Sequence, residues 1–305
     1  MEEFEKYLRL EMNRSAHTVR AYTDDVRQFA AWTGGEASGL TQPGAVTAND
    51  IRDWLGHLAA TGEKPASLRR KTQSLRALFR WAMKTSRMHT NPAADITLAK
   101  LPRRLPDIVK VPEIESILDF DPGDDFRQAR LHLVLAMIYG LGLRQAELLD
   151  ITDNDLRPAP HGADLRITGK GSKERVLPVP PVLLGEIRRW QTIRDSTYPD
   201  LPAPKALIAG RHGAISKETL YLAIRKALAT TSAARKSPHI LRHTFATAMI
   251  ANGANLDAVR QLLGHASLAT TQIYTHLSPA ELRQAYNTAH PRAIHKGKDS
   301  DKTKK

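Results

Sequence analysis

His239, Arg242, His265 and Tyr274 fall within one mostly helical stretch near the C-terminal end of the chain. A guanidinium holds phosphate oxygens through a planar fork of donors. An imidazole exchanges a proton near neutral pH, and a tyrosine oxygen can act as a covalent nucleophile. Together these groups suit a protein that cuts nucleic acid by attaching itself to it. Arg242 lies among Leu241, Phe245, Met249 and Ile250, where an unpaired charge would be costly, so it must be paired or serve a ligand. His239, three residues earlier, shares a helix face with it. His243 points about 100° away and reads as structural.

Two upstream residues extend the set. Arg144 follows Gly140-Leu141-Gly142-Leu143, and Glu147 lies one turn on, where an i, i+3 contact would hold it. Lys170 sits in Gly169-Lys170-Gly171, whose glycines let a turn approach a phosphate backbone closely. A lysine whose pKa is lowered is a movable acid, and Lys173 competes for that role. Each has a plain alternative: a surface arginine at 144, a solvated turn lysine at 170, a helix C-cap at His265.

The elements that must position these groups read in two parts. The first is helical. Phe4, Tyr7, Leu8 and Leu10 have helical spacing. Ser15 caps a helix reaching about Trp32, with Gly34-Gly35 ending it, and Thr47 with Asp50 forms a capping box. A fourth helix runs from about Pro65 to Ser86, with Leu68, Leu75, Phe79 and Ala82 on its apolar face. Arg69, Arg76 and Arg80 repeat one residue on and, with Arg70 and Lys71, make a basic stripe: a DNA-facing one, or a solvated face. Residues 95–110, with Pro102, Arg103, Arg104 and Pro106, read as a basic linker, near phosphates or a plain tether. The second part is mixed. Helices are expected over Phe126–Tyr139, Leu143–Leu149, Pro181–Arg194, Ser216–Ala229, Pro238–Asn252, Leu256–Leu263 and Pro279–His290. A β-hairpin is expected from Leu165 to Val179 around the turn that carries Lys170. The fold class is thus mainly α with a small sheet, in two domains over 1–94 and 111–292, followed by a disordered basic tail at 293–305.

A formal net charge of +13 over 305 residues suits a polyanionic partner. The absence of cysteine excludes disulfides and thiolate metal sites. The N-terminus lacks the basic start and apolar run of a secretory signal. The longest apolar stretch, Leu131 to Leu143, is too short to span a bilayer. No membrane contact and a cytoplasmic location are expected.

The segments Tyr139–Leu148, Gly169–Arg175, His239–Ala246, Leu263–Ser267 and Ile273–His276 resemble, in order, the motifs of the tyrosine recombinase (phage integrase) family. Within it they resemble the bacterial XerC/XerD site-specific recombinases. The resemblance implies a helical core-binding (SAM-like) DNA-binding domain at 1–94, with no room before it for an arm-binding domain, and a catalytic domain at 111–292. It also implies two phosphate-clamping arginines (Arg144, Arg242), a hairpin lysine (Lys170), two histidines (His239, His265) and the nucleophile Tyr274. Tyr274 must lose its proton as it attacks. His239 is the candidate base and Lys170 the candidate acid for the leaving 5′ oxygen, giving a 3′-phosphotyrosyl intermediate. No cofactor or metal is expected. Asp153 and Asp155 read as a loop or helix-start pair, and no carboxylate cluster of the two-metal kind is present in the sequence.

The family further implies a tetramer on two DNA sites, homo- or heteromeric with a second Xer recombinase; whether an FtsK-type translocase activates it, as one does for Xer pairs, is left open by the sequence. The C-terminal helix, with Leu282 and Tyr286 on one face, would dock on a neighbour or pack on its own domain. Resolution of chromosome dimers at a dif-like site is the leading role. Integration of a mobile element, a topoisomerase-like nicking and closing reaction, and a non-catalytic DNA-binding protein on the same scaffold are the alternatives.

Overall fold

The computed structural model describes residues 1–35, 39–42, 45–98, 107–160, 162–169, 174–264 and 279–290. The chain divides into two compact units, Met1–Arg104 and Leu105–Lys305.

The first unit is helical: α1 (Glu2–Lys6), α2 (Ala16–Trp32), α3 (Ala48–Ala60) and α4 (Pro65–Lys84). The expected caps are present. Ser15 Oγ accepts from the Thr18 N–H, and Thr47 and Asp50 exchange the two bonds of a capping box. Phe4, Val26, Phe29, Ile51, Leu75 and Phe79 close the core, with the Phe29 and Trp54 rings 5.0 Å apart. Leu10 departs from expectation. A π-helical turn at Tyr7–Glu11 follows α1, shifts the face, and leaves Leu10 80% exposed.

The second unit is built around α6 (Phe126–Leu141), which follows α5 (Val111–Leu118). Leu133 to Leu141 are all buried. An unbroken apolar surface of this kind marks a helix surrounded on every side. After α7 (Gln145–Asp150) comes an antiparallel sheet in the order β1 (Leu156–Ala159), β2 (Gly162–Thr168), β3 (Glu174–Val179). The expected hairpin is β2–β3, in the register Leu165 to Leu177 and Thr168 to Glu174. The strand β1 was not expected, because Arg157-Pro158 breaks its apolar alternation.

The rest is α8 (Pro181–Thr197), a two-residue ribbon of β4 (Ala209–Gly210) and β5 (Gly213–Ala214), α9 (Lys217–Ala227), α10 (Pro238–Ala251), α11 (Leu256–Leu263) and α12 (Pro279–Ala289). α8 and α10 pack on α6. α12 packs on α10, α11 and β3 of its own unit, with Tyr286 buried and stacked on His290.

Both ends of the expected linker belong to the units beside them. Arg76 Nε and Nη2 donate to the carbonyls of Ala93, Ala94 and Ile96, tying residues 93–96 to α4. Asp107 accepts from the Ala234 and Arg235 N–H groups, and the Val109 N–H donates to Thr244 Oγ1. Asp153 and Asp155 form a helical turn. Asp153 takes the Arg194 guanidinium, and Asp155 caps Thr152 and pairs with Arg166, which is a structural role for both.

Candidate active site

Two helix ends frame the site. α6 stops at Gly142 and α11 at Gly264, both in the left-handed conformation (φ +62° and +63°). A Cβ at Gly142 would lie 2.5 Å from the Phe245 ring, so only glycine fits. Helix C-termini present unsatisfied carbonyls that carry partial negative charge. Here those carbonyls receive arginines.

Arg242 projects from α10, with its side chain 9% exposed. Its Nη1 donates to the Gly142 carbonyl and its Nη2 to the Leu263 carbonyl. Arg144 is the N-cap of α7. Its backbone N–H donates to Glu147 Oε2 (2.8 Å) and its Nη1 to Glu147 Oε1 (2.6 Å), while Nη2 reaches the Gly264 carbonyl at 3.4 Å. The i, i+3 contact read from the sequence is present. The buried charge on Arg242 is compensated by two helix ends and, at 3.7 Å, by Glu147.

Glu147 is the hub, and its full role was not legible in the sequence. Besides Arg144 it receives both terminal nitrogens of Arg175, at 2.9 and 2.8 Å. Arg175 Nε donates to the Leu262 carbonyl at 3.0 Å. The signal that would have found Arg175 is strand alternation: it stands two residues before the buried Leu177, on the core-facing side of β3. A charged residue at a core-facing position implies a buried partner.

Burial alone would raise the Glu147 carboxyl. Hydrogen bonds and charge from Arg175 and Arg144 outweigh it and bring the pKa down to about 2. For Arg242 burial dominates and the neighbouring Arg144 and Arg175 add to it. Glu147 only partly offsets them, and the pKa falls to about 10. Among the described residues the cluster holds three guanidiniums and one carboxylate. Its formal surplus of positive charge suits an anion.

His239 stands exposed in the first turn of α10, one turn before Arg242. His243, expected to be structural, is exposed on α10. Lys170, His265 and Tyr274 lie outside the described residues, as do Arg103 and Arg104. The elements leading to two of them do reach the cluster. Gly264, whose carbonyl faces Arg144, immediately precedes His265. Arg175 lies at the start of β3, five residues after Lys170.

Within the expected basic stripe of α4, Lys71 is corrected: it points inward. Lys71 is 2% exposed; its ammonium bonds Asp25 and Gln28 and lies 5.5 Å from the Trp54 ring centroid. Arg70 pairs with Asp25 and the Ala21 carbonyl, and Arg76 with the three carbonyls noted above. The buried Asp25 carboxylate draws Lys71 and Arg70 toward it, because a buried carboxylate must be paired. Arg69 and Arg80 are exposed.

Residues 108–281 match the Phage integrase family, and residues 1–86 match its N-terminal SAM-like domain. The chain is 33% identical over 300 residues to tyrosine recombinase XerC of Pseudomonas aeruginosa, covering 97% of this chain and 96% of that one. It is 31% identical over 299 residues to tyrosine recombinase XerD of Listeria monocytogenes, covering 96% and 99%. Among solved structures, the XerH site-specific recombinase bound to its difH substrate before cleavage has a similar fold. The TM-score is 0.65 at 23% identity, over 93% of this chain and 83% of that one.

Proposed function

We propose, from the premise that the chain belongs to the phage integrase family, that Arg144 and Arg242 clamp the scissile phosphate for attack by Tyr274. The chain is a Xer-type tyrosine recombinase, an enzyme that cuts and rejoins DNA. The observation that carries the residue assignment is the convergence of Arg144 and Arg242 on one carboxylate and two helix ends, with positive charge in surplus.

A phosphodiester is anionic and repels a nucleophile. Two guanidinium forks oppose that charge and stabilise the further charge of the pentavalent transition state. In the proposed step the Tyr274 oxygen forms a bond to phosphorus and the bond to the 5′ oxygen breaks. His239 takes the phenolic proton and Lys170 gives one to the 5′ oxygen. His265 adds a donor to the phosphate oxygens. The 3′-phosphotyrosyl ester keeps the bond energy, so a 5′ hydroxyl from another strand reverses the step without ATP.

The proposed setting is the cytoplasm, on a dif-like site in double-stranded DNA. There a tetramer, with or without a second Xer recombinase and an FtsK-type translocase, resolves chromosome dimers. Near full-length similarity to XerC and XerD relatives supports this role over mobile-element integration. Arg69, Arg80, Arg103 and Arg104 are the proposed backbone contacts outside the catalytic cluster.

The test is a nicked duplex carrying a dif-like site, run on a denaturing gel. Wild type forms a covalent protein–DNA adduct and Tyr274→Phe forms none. An adduct that persists in Tyr274→Phe removes the nucleophile assignment.

A further inference from the structure

The cluster contains one arginine more than the phosphate clamp requires. Arg175 takes both oxygens of Glu147, at 2.9 and 2.8 Å, and its side chain is 12% exposed. The same two oxygens face Arg144 at 2.6 Å and Arg242 at 3.7 Å. A lone carboxylate between two guanidiniums neutralises much of their charge, because opposite charges at these separations attract strongly where water is excluded. With a third guanidinium bound in a two-pronged geometry, the carboxylate is shared.

We propose that Arg175 is a positioning residue for strand cleavage: by occupying both oxygens of Glu147 it keeps that carboxylate from neutralising Arg144 and Arg242, and so leaves their charge available to a DNA phosphate. This rests on the reading of Arg144 and Arg242 as the phosphate clamp. Arg175 also ties three elements together. It springs from β3, five residues after Lys170 in the sequence. It holds the first turn of α7, where Arg144 stands. Through the Leu262 carbonyl it holds the last turn of α11, which leads into His265. The Gly264 conformation belongs to the same arrangement, since a Cβ there would lie 3.0 Å from Arg175 Nη1. Lysine reproduces the charge but not the fork.

The experiment is a double-mutant cycle on the full chain, read as single-turnover adduct formation on the nicked duplex, with DNA affinity measured alongside. Arg175→Gln is expected to slow adduct formation by about 10- to 100-fold while affinity changes by less than about threefold. Glu147→Gln added to Arg175→Gln is expected to restore at least about fivefold of that loss, because it removes the charge that Arg175 was holding off. Arg175→Lys is expected to fall between wild type and Arg175→Gln.

A purely architectural role gives the reverse pattern. The double variant is then as slow as Arg175→Gln or slower, and that result overturns the proposal. If Arg175→Gln lacks a cooperative melt, the same comparison is made between Arg175→Lys and Arg175→Lys with Glu147→Gln, and absence of recovery there overturns it equally. The wild-type lane separates the two layers. No adduct in wild type removes the cleavage reading and the Arg175 role with it. Adduct in wild type with an unimpaired Arg175→Gln removes the Arg175 role alone.

Discussion

Arg242 does two jobs that pull in opposite directions. It satisfies the carbonyls of Gly142 and Leu263, and it holds a charge that burial and neighbouring arginines disfavour. Arg242→Ala is expected to lower the melting temperature, because two helix-end carbonyls lose their donor. It is also expected to slow adduct formation on the order of 10²- to 10³-fold, as loss of a transition-state donor does. Single-turnover kinetics beside a thermal melt check both. The Glu147 carboxyl sits at about 2 in the fold against an ordinary 4.5. Its pKa is lowered, so its contribution to stability is complete above about pH 4.5 and is lost as pH falls through about 2. Denaturant titrations between those limits are expected to show a steeper loss in wild type than in Glu147→Gln. Equal slopes would mean that the carboxylate is not held by its arginines.

The helix ends matter as much as the side chains they meet. Gly142 is required twice, once for its left-handed backbone and once for its contact with the Phe245 ring. Gly142→Ala is expected to cost roughly 2 kcal/mol or more by denaturant unfolding, from backbone strain and overpacking together. At Gly264 the tightest contact, with Arg175 Nη1, is 3.0 Å against 2.5 Å at Gly142, so Gly264→Ala is expected to cost less. An equal cost at the two positions would contradict the geometry. In the first unit, the Asp25 network binds α2 to α4 with Arg70, Lys71 and Ser74 as its donors. Lys71→Ala is expected to destabilise that unit, because it leaves a buried carboxylate short of a partner.

Over the whole molecule the +13 balance makes DNA affinity a strongly salt-dependent quantity. Exposed arginines contribute to that dependence and internally paired ones do not. Arg80→Ala is expected to reduce the slope of log affinity against log salt by about one, and Lys71→Ala to leave it unchanged. Fluorescence anisotropy over a salt series reads both. A shallower slope in Lys71→Ala would place that ammonium at a phosphate after all. Among the described residues no helix is long and apolar enough to cross a membrane, and no group of acidic and histidine side chains could hold a metal ion.

Much of this was written locally. Caps such as Ser15 and Thr47–Asp50, the stop of α6 at its glycines, and the β2–β3 hairpin depend on neighbours within a few residues, so spacing alone revealed them. The motifs identified the family for the same reason: they are short strings of particular residues. What spacing could not reveal is which charges meet. In one dimension, Arg69, Arg76 and Arg80 formed a tidy stripe, and Arg175 was one basic residue among many. Only the packing of α4 on α2 turned Lys71 inward toward Asp25. Only the meeting of β3, the start of α7 and α10 put three guanidiniums around Glu147. The sequence by itself determined the elements and the chemistry available to them. The tertiary structure decided which arginines are paired inside the fold and which stand at its surface, because a buried charge is assigned by the partners that surround it in space.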